Sequence, residues 1–250
     1  MKRPDRWIVR PAPCPDPRLR LICFPYAGGG ATTYRSWAGA LPRHVELLAV
    51  QPPGREGRFS HPPFTRLEPL MDAMVPALDP WLDRPFALFG HSLGCLLAFE
   101  LARRLTRGGR TGPVHLFVSA RGAPALPPRT PRATPLSDQE FIAGLRRYEG
   151  TSEQVLADPE LLELLLPVLR ADFTVNETYE YRPGEALGCP ISACGGASDP
   201  DVTVADLEAW QGETRGPFRV RTFPGGHFYL FSRQHDLMTS LMEDLAPSLA

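Results

Sequence analysis

The sequence FALFGHSLGCLLAFELARRL, residues 86 to 105, decides the fold prediction. Its first residues form a short apolar run typical of a buried strand, and its leucines from Leu93 to Leu105 recur at helical spacing. Between them, Gly90-His-Ser-Leu-Gly94 has the GxSxG form of a sharp strand-to-helix turn, in which side chains at the glycine positions would collide with neighbouring elements. The pattern predicts Ser92 as an exposed nucleophile at the amino end of a helix; the alternative is that Ser92 only caps this helix.

Five other short apolar runs, each bounded by glycine or proline, predict further strands of the same kind. Helical patterns lie between several of these runs, and another, with Leu237, Leu241 and Leu245, ends the chain. Strands that alternate with helices indicate an α/β protein with a mostly parallel sheet and helices on both faces. The predicted strands are 19–24, 45–50, 86–90, 114–120, about 191–194 and 218–223.

One interval, residues 121–185, interrupts this alternation because it contains no convincing strand. After a proline-rich linker, Ser137-Asp-Gln-Glu140 has the form of a capping box, and Asp158-Pro159 begins a leucine-rich helix that Pro167 should kink. The simpler interpretation is a pair of packed core helices. Because lids and binding loops are often placed at such interruptions, we expect a helical lid at 121–185 within a single domain of residues 1–250.

Composition excludes several classes of protein. Across 250 residues, 27 basic and 28 acidic residues leave a net charge of −1, which argues against nucleic acid or an acidic membrane as a partner. Lys2 is the only lysine, so a Schiff-base cofactor and a Walker-type phosphate loop are excluded. The five cysteines are scattered without a CxxC pair and no secretory leader or membrane-spanning stretch is recognisable, so we expect a cytoplasmic protein. We also expect a monomer that uses no metal or cofactor.

A neutral serine needs a base, and the chain has six histidines. His227 is favoured because it follows the last predicted strand, in Pro224-Gly-Gly-His-Phe228. The two glycines permit a tight turn that presents the imidazole at the carboxyl end of the sheet. His91 is adjacent to Ser92, but adjacent side chains diverge at a sharp turn, so we expect His91 to pack or hydrogen-bond locally.

The acid partner should follow the fifth predicted strand, because hydrolases with this turn place serine, acid and histidine in that order along the chain. Asp199 and Asp201 both fit this position. Asp199 is favoured, and Asp201 is expected to cap the helix near residues 204–210. The carboxylate would hold the tautomer of His227 and stabilise the imidazolium without taking the proton.

A tetrahedral intermediate also needs N–H donors for its oxygen anion. One should be the backbone N–H of Leu93, directly after the serine. The other should come from the loop Tyr26-Ala-Gly-Gly-Gly30 after the first predicted strand.

Together, these residues resemble the type II, or editing, thioesterases of polyketide synthases and nonribosomal peptide synthetases. The resemblance covers nearly the whole chain, and its most specific segment is PGRExR, from Pro53 to Arg58, which general hydrolases do not need. It implies an α/β-hydrolase fold with a helical lid and a triad of Ser92, Asp199 and His227. The resemblance rests, in chain order, on Phe24-Pro-Tyr-Ala-Gly-Gly29, Gln51-Pro-Pro-Gly-Arg-Glu-Gly-Arg58, Gly90-His-Ser-Leu-Gly94, Asp199-Pro200 and Phe223-Pro-Gly-Gly-His-Phe228.

The same resemblance implies an oxyanion hole formed by the backbone N–H groups of Ala27 and Leu93. It also implies a substrate whose acyl chain is carried on the phosphopantetheine arm of an acyl or peptidyl carrier protein. Tyr26, Arg55 and Arg58 are then candidates for contact with the substrate or the carrier. For the two arginines, an ordinary solvated surface is the alternative.

Three other functions stay open. The chain could be a general carboxylesterase, a malonyl-type acyltransferase, which also uses GHSLG, or a carrier-binding module without catalysis. The glycine loop and the order Ser, Asp, His argue against the acyltransferase. The complete Ser/Asp/His set argues against the binding module.

Overall fold

The computed structural model describes residues 7–127, 133, 135–146 and 157–249. Within them, seven strands form one sheet in the order β1-β3-β2-β4-β5-β6-β7. The two-residue strand β1 pairs antiparallel with β3, and all the other pairs are parallel. The strands are β1 (Ile8–Val9), β2 (Leu19–Phe24), β3 (Val45–Val50), β4 (Phe86–His91), β5 (His115–Ser119), β6 (Ile191–Gly196) and β7 (Phe218–Phe223).

All six predicted strands are present, with ends that differ from the prediction by at most two residues. The α/β class and the mostly parallel sheet are therefore confirmed. Sequence reasoning missed β1, because two residues in a proline-rich arm carry no periodic pattern. It also made no prediction for helix α1, in which Pro69 and Pro76 interrupt the apolar spacing.

Helices cover both faces of the sheet, as predicted. Side chains alternate along β2: Leu21 joins one buried apolar cluster and Ile22 joins the other. Helices α1 and α2 pack in the cluster with Ile22, and α7 packs in the cluster with Leu21. The α-helices of the described residues are α1 (Leu67–Leu78), α2 (Leu93–Arg107), α3 (Asp138–Arg146), α4 (Pro159–Glu177), α5 (Val204–Glu208), α6 (Tyr229–Ser232) and α7 (Gln234–Leu249).

Helices α3 and α4 lie between β5 and β6, inside the interval predicted as a lid, and pack against each other through Phe141, Leu145 and Leu169. Both predicted starts are confirmed. Ser137 and Glu140 form the reciprocal capping box, and the Asp158 carboxylate accepts hydrogen bonds from two N–H groups in the first turn of α4. Residues 128–132, 134 and 147–156 of the interval lie outside the described residues. The lid and the single domain stay predictions.

No helix in the described residues is both apolar enough and long enough to span a bilayer.

Candidate active site

Ser92 lies in a strained turn between β4 and α2. Its backbone has φ 53° and ψ −114°, a conformation that costs a non-glycine residue about 1–3 kcal/mol. A Cβ atom on Gly90 would lie 2.3 Å from the carbonyl oxygen of Gly94, and one on Gly94 would lie 2.1 Å from that of Phe24. Both distances are far below van der Waals contact. The glycines that flank Ser92 are therefore required by close packing of backbone on backbone.

His227 and Asp199 meet although 28 residues separate them. His227 Nδ1 lies 2.8 Å from Asp199 Oδ2, and the Asp199 side chain is fully buried. Asp199 Oδ1 accepts the N–H of Asp201 at 3.0 Å. The favoured candidate, Asp199, thus contacts the imidazole.

The expected capping role of Asp201 is wrong. Thr203 caps α5: its hydroxyl accepts the N–H of Asp206, and the Asp206 side chain accepts the N–H of Thr203. This reciprocal box satisfies two N–H groups at the start of the helix, which a single Asp side chain would not do. Asp201 instead lines the cavity described next.

Ser92 and His227 line one cavity of about 170 Å³ at the carboxyl ends of the parallel strands. The loops after β2, β4, β5, β6 and β7 all contribute to its wall, and α3 and α4 add further side chains, while the cavity stays partly open to solvent. In open parallel sheets, ligands bind at this end of the strands. The arrangement brings a serine hydroxyl and an imidazole with a buried carboxylate behind it into one small space, as nucleophilic acyl transfer requires.

A family model described as a thioesterase domain matches residues 19–249. The chain belongs to the thioesterase family. It is similar to the gramicidin S biosynthesis protein GrsT of Aneurinibacillus migulanus, with 40% identity over 98% of this chain and 96% of that protein. It is also similar to thioesterase PikA5 of Streptomyces venezuelae, with 41% identity over 96% of this chain and 85% of that protein.

Solved structures give the same result. The type II thioesterase BorB from the borrelidin biosynthetic cluster has 44% sequence identity and a TM-score of 0.88, over 96% of this chain and 97% of that one. The RedJ thioesterase from the prodiginine pathway in Streptomyces coelicolor has 37% identity and a TM-score of 0.86, over 97% of this chain and 91% of that one. The α/β-hydrolase fold is thus confirmed, and the protein is a hydrolase of thioesters.

The two predicted oxyanion donors of this thioesterase, the N–H groups of Ala27 and Leu93, belong to residues that line the cavity. The loop of Ala27 is tightly folded, because the Gly29 N–H donates to the Tyr26 carbonyl at 2.9 Å. Its next N–H, that of Gly28, donates to Asp172 Oδ2 at 2.7 Å. Sequence analysis did not single out Asp172. The one feature that could have indicated a structural role was its position as an acidic residue in a leucine-rich helix.

His91 is fully buried, and the centre of its ring lies 5.4 Å from that of His227. Its Nδ1 lies 2.8 Å from Ser119 Oγ, which lies 2.7 Å from the Tyr229 hydroxyl. Burial, with a smaller effect of nearby His227, holds the pKa of His91 well below its usual value, so this imidazole is neutral. The predicted local hydrogen bonding of His91 is confirmed. Sequence reasoning missed its partners Ser119 and Tyr229.

The structure places Arg55 and Arg58 away from the cavity wall and inside the thioesterase. Arg55 forms an ion pair with Asp172, and the Arg58 guanidinium lies 3.9 Å from the centre of the Trp7 ring. They are only 7% and 4% exposed, so the solvated-surface alternative is wrong. This geometry gives no support to a direct contact with substrate or carrier, since both groups already have partners within the chain.

Tyr26 does line the cavity. Its ring packs edge-on against Phe228, with 4.8 Å between ring centres, next to His227. Its contact with the substrate stays a prediction.

Proposed function

We propose that this thioesterase removes short, misprimed acyl groups from the phosphopantetheine arms of carrier proteins in polyketide or nonribosomal peptide biosynthesis. The hydrogen bond between the buried Asp199 and His227, which lines the same cavity as Ser92, is the observation that carries the proposed chemistry. The similar proteins support the biological setting, because their names place them in gramicidin S and borrelidin biosynthesis.

In the proposed mechanism, His227 Nε2 takes the proton of the Ser92 hydroxyl as its oxygen attacks the thioester carbonyl. Asp199 holds Nδ1 and stabilises the imidazolium that results. The N–H groups of Ala27 and Leu93 stabilise the oxygen anion of the tetrahedral intermediate. The carbon–sulfur bond then breaks, and the imidazolium returns its proton to the leaving thiolate. His227 next activates a water molecule, which cleaves the acyl–serine ester and releases the free acid.

The leaving group and the cavity both fit this substrate class. A thiol with a pKa near 8.5 leaves far more readily than an amine, so a modest site suffices. The cavity of about 170 Å³ is smaller than the roughly 300–1,000 Å³ of most ligand sites. We therefore propose short acyl groups as substrates, with the phosphopantetheine thiol entering from the open side.

We propose that all reacting groups except water and substrate come from this chain, without a metal or cofactor. The partner is an acyl or peptidyl carrier protein that binds transiently to a monomer. A cytoplasmic location suits a partner made in the same compartment, and all five cysteines are free thiols.

Intact-mass spectrometry of acylated carrier proteins tests the proposal. Acetyl, propionyl, butyryl and longer acyl carriers are incubated with the enzyme and with its Ser92→Ala variant. We expect loss of short acyl groups to water with the native enzyme and no loss with the variant. Faster cleavage of elongated chains than of short ones would contradict the editing role.

The same assay separates the alternatives. A carboxylesterase would cleave simple oxygen esters faster than acyl carriers. An acyltransferase would move the acyl group to an added carrier with a free thiol. A binding module would give the same mass spectra with and without Ser92.

A further inference from the structure

Asp172, in the middle of α4, makes three hydrogen bonds to distant parts of the chain. Its carboxylate accepts Arg55 Nη1 at 2.7 Å and Nη2 at 2.8 Å, and it also accepts the backbone N–H of Gly28 at 2.7 Å. Asp172 and Arg55 are only 6% and 7% exposed. A bidentate pair of this kind is both strong and geometrically specific. We call Asp172, Arg55 and the Gly28 N–H the clasp.

The clasp holds the loop that carries a proposed oxyanion donor. The Gly28 N–H belongs to the rigid peptide group that joins Ala27 to Gly28, so its hydrogen bond fixes the carbonyl side of Ala27. Arg55 Nη1 also donates to the carbonyl of Gly29 at 3.1 Å. Leu169, one turn before Asp172, packs against the same loop, because a Cβ atom on Gly28 would lie 2.5 Å from its Cδ2 atom. Helix α4 thus contacts the loop by both polar and apolar groups.

The charge of the clasp matters as well as its geometry. A bare carboxylate this close to the oxyanion hole would oppose the negative charge that develops on the substrate oxygen. Arg55 cancels that charge through two parallel hydrogen bonds. The pair can therefore fix the loop without an electrostatic penalty to the transition state.

We propose that Asp172 and Arg55 are positioning residues, which hold the Ala27 N–H in place for the transition state and couple the oxyanion loop to α4. This inference rests on the proposed catalytic function. It gives the segment Gln51–Arg58 a role inside the protein. Donors of an oxyanion hole must lie within about 2.7–3.1 Å of the developing anion, so a small shift of the loop reduces the rate.

The test compares Asp172→Ala, Asp172→Asn and Arg55→Met with a matched control, Glu46→Gln. Glu46 is also a buried carboxylate, bonded to Arg10, to Arg20 and to the backbone N–H of Cys14. Glu46 lies near the amino end of β3, whereas the cavity lies at the carboxyl ends of the strands. Each variant is assayed for kcat and KM with a short acyl carrier and with p-nitrophenyl butyrate, for Tm, and for inhibition by an alkyl boronic acid, whose adduct with serine is tetrahedral.

We expect Asp172→Ala to lower kcat by roughly 10- to 100-fold, less than the loss of an entire oxyanion donor. KM should stay nearly constant, and the inhibition constant of the boronic acid should rise by a similar factor. Arg55→Met should lower kcat more than Asp172→Asn does. Only Arg55→Met leaves a carboxylate beside the oxyanion without a positive charge to balance it. Glu46→Gln should lower Tm without changing kcat.

The inference is overturned if Asp172→Ala keeps its kcat, if Glu46→Gln loses as much activity, or if boronic acid binding does not follow kcat. Should Asp172→Ala or Arg55→Met fail to fold, Asp172→Asn and Arg55→Lys give the same comparison with smaller changes. Failure of the native enzyme on every acyl carrier would contradict the proposed function alone. The clasp would still be tested on the p-nitrophenyl ester, which uses the same donors.

Discussion

The two ends of the sheet each hold a serine, a histidine and an aspartate. At the carboxyl end, Asp199 contacts His227, which lines the cavity together with Ser92. At the amino end, His115 Nε2 lies 2.9 Å from Ser192 Oγ, and the Ser192 hydroxyl donates to Asp244 Oδ2 at 2.7 Å. The residue types are the same, but the mechanism proposed here assigns catalysis to the first set.

The two sets differ in which group accepts the proton of the serine hydroxyl and in the backbone conformation at the serine. A hydroxyl has one proton, and Ser192 gives it to Asp244, so His115 can only donate to the same oxygen. Burial also lowers the pKa of His115 to about 4, which makes it a weak base. Ser192 lies within regular strand β6 and is 1% exposed, whereas Ser92 is lifted into the cavity by its strained turn. Proximity of the three residue types therefore does not make a catalytic site.

The largest expected difference between the two sets concerns the serines. Ser92→Ala should reduce kcat by up to about 10⁶-fold, because it removes the nucleophile. Ser192→Ala should leave kcat unchanged and lower the free energy of unfolding by about 1–3 kcal/mol, since it leaves buried polar groups of His115 and Asp244 without this partner. Acyl release and urea denaturation of both variants measure the two effects. A large loss of kcat in Ser192→Ala would show that Ser192 takes part in catalysis, contrary to this expectation.

The aspartates should differ by a smaller factor. Asp199→Asn should reduce kcat by about 10⁴-fold, because an amide favours the wrong tautomer of His227. Asp244→Asn should keep kcat and lower the free energy of unfolding by about 1–3 kcal/mol, because its buried carboxylate accepts hydrogen bonds from Ser192 and Arg221. Steady-state kinetics at a temperature where both variants are folded checks this. Equal kinetic losses would contradict the assignment of Asp199.

The smallest effect is on stability at acid pH. The pKa of His115 is lowered to about 4, chiefly by burial, against about 6.5 in an unfolded chain. Below pH 6.5 the unfolded state therefore binds the extra proton, and stability falls as pH decreases toward 4. His115→Gln, whose amide can still donate to Ser192, should lose about 2 kcal/mol less than the native protein between pH 7 and pH 5.

Urea denaturation at the two pH values measures this difference. His91 is also held neutral by burial, so it contributes the same slope to both proteins and cancels. An identical loss of stability in the two proteins would show that His115 does not titrate in this range.

Much of the fold and the core of the site could be predicted from sequence, because they depend on local chemistry. Short apolar runs and helical leucine spacing located six strands and helix α2. The glycines on either side of Ser92 marked the turn, and those before His227 marked the loop after the last strand. The chain order of serine, acid and histidine then narrowed the acid to two residues.

Contacts between distant residues could not be predicted in this way. Arg55 lies in a loop, where an arginine is usually exposed to solvent. Its pairing with Asp172 depends on how α4 packs against that loop. Arg58 packs on the ring of Trp7. Trp7 directly precedes strand β1, which sequence analysis did not predict. The sequence favoured Asp201 as the cap of α5, but in the structure the Thr203 hydroxyl accepts the N–H of Asp206 and caps this helix.

Local sequence patterns are enough to predict the α/β alternation, the strained turn of Ser92 and the position of His227 after the last strand, because apolar periodicity and glycine act on the backbone within a few residues. The contact between Asp199 and His227, the exposure of Ser92 to the cavity and the pairing of Arg55 with Asp172 become visible only in the folded protein. Those outcomes depend on the packing of strands and helices whose residues are far apart in the chain, and no local pattern encodes the distance between them.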